Sequence, residues 1–343
     1  LFKTSATYQH STVIFLFASE NTDFTMGSIS AANAEFCFDV FKELKVHHAN
    51  DNIFYSPLSV IAALAMVYLG ARGNTEYQME KIYLFIFLSI TQCGKSVNIH
   101  ILFKELLSDI TAPKGNYSLH IANRLYAEKT HPILPIYLKC VKKLYRAGLE
   151  MVNFKTASDQ ARQLINSWVE NQTNGKIQDF LEPDSVDFDT MLVLVNAIYF
   201  KGIWKTAFKE DTQEFPFSVT KVGEMHFRNH SGLGFFMIAL IKMNGRKKLY
   251  LHPRHFIPCL SLQLENKISF EKLMEWTSPN VMEKKRVKVY LPRMKMEEKY
   301  NLTSVLMALG MTDLFSPSAN LSGISSAESL KISEAIHEAY MEV

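Results

Sequence analysis

The run Thr190–Trp204, TMLVLVNAIYFKGIW, constrains this chain more than any other stretch. Leu192 to Val195 and Ala197 to Phe200 are apolar and nearly all suit a strand, with neither a helical period nor in/out alternation. That is how a strand covered on both faces reads, so the chain must supply a layer on either side of it. One polar side chain, Asn196, interrupts the run. A buried amide needs partners, and Asn196 is therefore expected to bond across the sheet. Lys201-Gly202 turns the chain, and Trp204 places a large ring at the strand's end. A large mixed fold around one central strand is the expectation.

A length of 343 residues holds one large domain or two average ones. The balance of charge, 37 basic against 34 acidic residues, is too mild to argue for nucleic acid as a partner. No apolar run reaches membrane-spanning length, so no membrane partner is expected. The sequence has no GxSxG elbow, P-loop, HExxH or dinucleotide fingerprint, and the chain is read as a non-enzyme without cofactor. His252 and His255 near Cys259 are read as surface residues rather than metal ligands, and no metal is expected. None of the four cysteines, Cys37, Cys93, Cys140 and Cys259, forms a CxxC pair. A Cys93–Cys140 bond would close a long loop and contribute up to ~4 kcal/mol, but the sequence alone leaves the pairing open. Residues 1–25 are read as a non-native or unstructured leader, with Met26 as the natural start.

Between these landmarks the periodicity predicts helices over Ser30–Lys45, Pro57–Leu69, Val97–Ile110, Ile136–Ala147, Gln160–Thr173, Ile268–Thr277 and Leu302–Leu309. Thr75-x-x-Gln78 has the form of a capping box opening another. Strands are predicted over Asn52–Pro57, Ser118–Glu128, Thr212–Val219, Arg286–Pro292 and Ser329–Val343. Two zones resist this reading. Tyr83–Ile90 is a solid apolar run where an amphipathic helix should finish, and Lys221–Gln263 fits neither period.

Several motifs together resemble the serpin family. Asn196-Ala197-x-x-Phe200-Lys201-Gly202-x-Trp204 is similar to its central strand, and Ser56-Pro57-Leu58-Ser59 to the start of its second helix. Asn166-Ser167-Trp168-Val169 with Thr173-x-Gly175-Lys176-Ile177 resembles the helix that crosses the main sheet. Pro292-Arg293-Met294 and Ala319-Asn320-Leu321-Ser322-Gly323-Ile324-Ser325 are further signatures. Leu330-Lys331-Ile332-Ser333 followed by His337, Ala339, Glu342 and Val343 resembles the strand that leads into the reactive loop. These motifs span most of the chain, and within the family they point to the ovalbumin group.

The resemblance implies an α+β serpin fold of three β-sheets and eight or nine helices. It implies one domain over 26–343, atypical over 221–263, with the C-terminal reactive loop and part of one sheet missing after Val343. It implies a secreted, extracellular monomer. Inhibitory members offer a bait loop to a serine protease, and after cleavage that loop inserts into the main sheet. The reactive bond is then expected beyond Val343. Ser56, Ser59, Asn196 and His337 fall where the sheet opens, and Trp204 falls where a loop first enters. The group's disulfide maps onto Cys93 and Cys140. Of five N-x-S/T sequons, at Asn116, Asn171, Asn229, Asn301 and Asn320, the group's glycan maps onto Asn301. Lys139, Lys142, Lys143 and Arg146 share one helical face and, as in some family members, are a candidate site for a heparin-like polyanion. A non-inhibitory storage or polyanion-binding protein is the competing reading.

Overall fold

The computed structural model describes residues 12–14, 24–48, 51–83, 99–112, 117–145, 147–203, 209–218, 224–243, 246–252, 272, 275, 283–292, 295–327 and 330–343. In chain order the elements are β1 (Thr12–Ile14), α1 (Phe24–His47), β2 (Ile53–Tyr55), α2 (Pro57–Tyr68), α3 (Gly73–Tyr83) and α4 (Ile99–Thr111). Next come β3 (Tyr117–Glu128), α5 (Pro135–Tyr145), β4 (Gly148–Val152), α6 (Phe154–Gln172) and β5 (Leu192–Gly202). Then follow β6 (Lys209–Ser218), β7 (Glu224–Met243), β8 (Arg246–His252), β9 (Glu283–Pro292), β10 (Lys295–Asn301), α7 (Thr303–Ala308) and β11 (Glu334–Glu342). They form two compact units, one of residues 1–55, 202–296 and 341–343, the other of 56–201 and 297–340. Three sheets are present among the described residues, with five, four and two strands.

The second unit is organised by β5. The five-stranded sheet runs β10-β11-β5-β3-β4, so the central apolar run has a strand on each edge. Strand alternation sorts its residues into two layers. Val193, Val195, Ala197 and Tyr199 pack into the core beneath α6, with Ile165, Val169, Phe180, Ile336 and Tyr340. On α6, Asn166 fixes the returning chain by donating to the Leu181 carbonyl (2.9 Å) and accepting from its N–H (2.7 Å). All twelve residues of α2 are buried, consistent with an apolar surface all round. Each fully buried Leu, Val, Ile or Met there contributes about 1.5–3 kcal/mol of transfer free energy, against a conformational cost of similar total size.

The segment Asn320–Ser325 closes against the end of α2. Gly323 N–H donates to the Gly70 carbonyl (3.0 Å), and Arg72 N–H to the Asn320 carbonyl (2.9 Å). A Cβ on Gly70 would lie 2.1 Å from Ile324 Cγ1, so only glycine allows this approach.

In the first unit, Phe36, Cys37, Val40, Phe41 and Leu44 make the buried stripe of α1. Four further strands form an antiparallel sheet about β7. β6 and β8 pair in succession with one edge of β7, and β9 pairs with the other.

Three stretches add to or depart from the sequence reading. Lys221–Gln263, which fits neither period in sequence, holds a strand pair: β7 and β8 form a ladder from Met237↔His252 to Met243↔Arg246. The residues between Met243 and Arg246 are Asn244-Gly245, a strong two-residue hairpin signal. Within 1–25, expected as a non-native or unstructured leader, Thr12–Ile14 form β1. β1 pairs in parallel with β2, whose backbone edge takes a partner, and α1 already begins at Phe24. Finally, α3 starts at Gly73, so Thr75 and Gln78 do not form a capping box. Thr75 Oγ1 instead accepts from Asn320 N–H (2.9 Å), and Gln78 Nε2 donates to Asp313 (2.9 Å). Residues 84–90 and most of Ile268–Thr277 lie outside the described residues.

Candidate functional site

Ser56 is the N-cap of α2. Its side chain accepts from Ser59 N–H (3.4 Å), while its own N–H precedes the helical ladder and is free to point elsewhere. It donates to His337 Nε2 on β11 at 3.1 Å. Because Nε2 accepts, the ring proton of the neutral imidazole sits on Nδ1. That proton goes to Asn196 Oδ1 on β5.

Asn196 completes the circuit. Its Oδ1 also lies 3.1 Å from the Ser59 hydroxyl, which is equally close to the Ser56 carbonyl. Its Nδ2 donates to the Ser59 carbonyl (3.1 Å) and to Asn123 Oδ1 on β3. The amide donates both protons and accepts from His337, and its Oδ1 shares the single Ser59 hydroxyl proton with the Ser56 carbonyl. One closed network joins α2 to three adjacent strands, β3, β5 and β11. Burial pushes the His337 pKa down to about 3, with the hydrogen bond to Asn196 opposing. The imidazole is therefore neutral, as its two bonds require.

All four residues assigned from the sequence, Ser56, Ser59, Asn196 and His337, are brought together here. Asn123 was missed, although it interrupts the apolar pattern of its strand as Asn196 does in β5. Trp204, Cys93 and Arg146 lie outside the described residues. Cys140 is disulfide-bonded, whereas Cys37 is free and buried, its thiol pushed up to about 12. Lys139, Lys142 and Lys143 are exposed along one side of α5. Asn301 is exposed at the end of β10, and its Nδ2 donates to Glu334 Oε2 (2.5 Å).

A second residue that the sequence reading passed over, Glu338, lies on the other face of β11. It sits between Ile336 and Tyr340, which enter the core beneath α6. It is buried, and its Oε2 has no hydrogen-bond partner among the described residues. Burial first, and then the charges of Glu297 and Glu182, push its pKa up to about 8 against the pull of Lys299.

The serpin (serine protease inhibitor) family profile matches residues 31–343. The chain belongs to the serpin family, and within it to the ovalbumin group. Ovalbumin of Dromaius novaehollandiae is 57% identical over 336 residues, 93% of this chain and 87% of that one. Ovalbumin-related protein Y of Gallus gallus is 55% identical, over 93% of this chain and 86% of its own. Human Serpin B11 is 40% identical, over the same 93% and 86%. The crystal structure of uncleaved ovalbumin superposes with a TM-score of 0.87 at 57% identity, covering 92% of this chain and 90% of that one.

Proposed function

We propose that this chain is a secreted, non-inhibitory serpin of the ovalbumin type, a storage protein rather than a protease trap. The observation that carries the reading is the gradient of similarity: 57% identity to an ovalbumin against 40% to Serpin B11 over the same share of the chain. Loop insertion carries a cost at this site under either reading. β5 and β11 are adjacent in the sheet, and the Asn196–His337 bond joins them. A loop entering between them must break that bond, at about 1–3 kcal/mol for each group left without a partner. Secretion, a glycan at Asn301 and a Cys93–Cys140 disulfide belong to the same reading. No helix among the described residues is long and apolar enough to cross a membrane.

The family description supplies the alternative, a bait for a serine protease. Incubating the purified full-length protein, with the reactive loop expected beyond Val343, with excess trypsin, chymotrypsin and elastase decides between them. The storage reading predicts cleavage without inhibition and without a covalent complex on a denaturing gel. A denaturant-stable adduct, with stoichiometric loss of protease activity, would overturn it. The exposed lysines of α5 support a weaker contact with a heparin-like polyanion, whose affinity must fall with added salt.

A further inference from the structure

A cavity of about 830 Å³ lies within the second unit, and Asn123 of the Asn196 network is part of its lining. One wall is β3 from Tyr117 to Arg124, and the opposite wall is α4, through Lys104, Leu107 and Thr111. Leu144 and Tyr145 of α5 and Trp168 of α6 complete it. The volume falls in the usual range for small-molecule sites.

Its chemistry is one-sided. Lys104, Lys142, Arg124 and His120 line the cavity, and among the described residues no Asp or Glu does. Lys104 and Lys142 are exposed and carry no ion pair among the described residues. Arg124 gives one nitrogen to Glu150 (2.5 Å), lies 4.3 Å from the centre of the Trp168 ring and interacts with the Tyr126 hydroxyl, and its buried Nε has no hydrogen-bond partner among the described residues. A buried donor without an acceptor is uncommon in a folded protein and marks where one can bind. The rest of the lining mixes apolar and aromatic side chains, Leu107, Leu119, Ile121, Leu144, Tyr145 and Trp168, with serine, threonine and amide side chains.

We infer that this cavity binds a small amphipathic anion, a long-chain carboxylate, with its head among Lys104, Lys142 and Arg124 and its tail along the Leu107–Trp168 wall. Cationic groups select the head, and buried apolar area holds the tail. A heparin-like chain is a different ligand. It would use the whole exposed face of α5, including Lys139 and Lys143, and would gain nothing from the apolar wall.

The test is a fluorescence titration of the full chain with cis-parinaric acid at physiological salt, followed by displacement with palmitate. Saturable binding at one site, displaced by palmitate but not by hexadecanol, is expected. The double charge reversal Lys104→Glu with Lys142→Glu should weaken it about tenfold or more, while Lys143→Glu leaves it unchanged. Leu107→Trp, which fills the cavity without altering charge, should abolish it, with the circular dichroism of each variant confirming the fold. Absence of saturable binding overturns the inference. So does equal displacement by hexadecanol, equal loss in Lys143→Glu, or stoichiometric displacement by heparin.

Discussion

His337 and Glu338 are neighbours on one strand and face opposite sides of one sheet. Both are buried, and burial moves both toward the neutral form, the imidazole down to about 3 and the carboxyl up to about 8. What differs is satisfaction. The neutral imidazole gives one proton and takes one, and both bonds end on groups that are themselves fixed. Glu338 leaves Oε2 without a partner among the described residues, and Glu297 and Glu182 add like charge beside it. The cost of a buried polar group is thus set by what meets it there, and the same depth yields a fastening on one face and a liability on the other.

The comparison breaks most sharply at Asn196. Asn196→Ala takes away the acceptor of His337 Nδ1–H and the donor to Asn123 Oδ1 together. At about 1–3 kcal/mol for each orphaned group, urea unfolding at pH 7 should show a loss of about 3–5 kcal/mol. A loss below 1 kcal/mol would mean that water replaces the network. On the other face the sign reverses. Glu338→Gln keeps the shape and a donor but no longer has to hold a proton. It should stabilise the protein by about 2–4 kcal/mol at pH 8.5 and change little near pH 4, which thermal unfolding at the two values reads directly. The smallest effect belongs to Ser59→Ala. Asn196 Oδ1 keeps its bond from His337 there, so denaturant unfolding should show a loss of about 1 kcal/mol.

The reading of the sequence was strongest where one local pattern determined one structure. The apolar run with a single amide gave β5 and the demand for partners that Asn123, Ser59 and His337 meet. The fully apolar α2 and the α6 stripe were legible for the same reason. Failures came where long-range pairing decides the outcome. Thr75 and Gln78 have the spacing of a capping box, but the chain at Thr312–Asn320 claims both side chains. β7 and β8 are held by a ladder that no helical or strand period announced, although Asn244-Gly245 marked their junction. Glu338 was invisible because an alternating strand admits an acid at any position that faces water. Here Glu297 and Lys299 of β10 and Glu182 lie beside it, and it is buried.

The most direct test is the stability of the wild-type chain from pH 3 to 9, set beside Glu338→Gln. Below its ordinary pKa of 6.5, His337 takes a proton only in the unfolded chain, so stability falls as pH drops from about 6.5 toward 3. Above an ordinary value of 4.5, Glu338 releases its proton only on unfolding, so stability falls as pH rises from about 4.5 to 8. The two slopes oppose each other in the overlap. Taken for these two groups, the wild-type profile should be a plateau between about 4.5 and 6.5 that declines on both sides. In Glu338→Gln the alkaline decline should vanish while the acid decline stays. An alkaline decline that survives the substitution unchanged would contradict the contrast between the two faces.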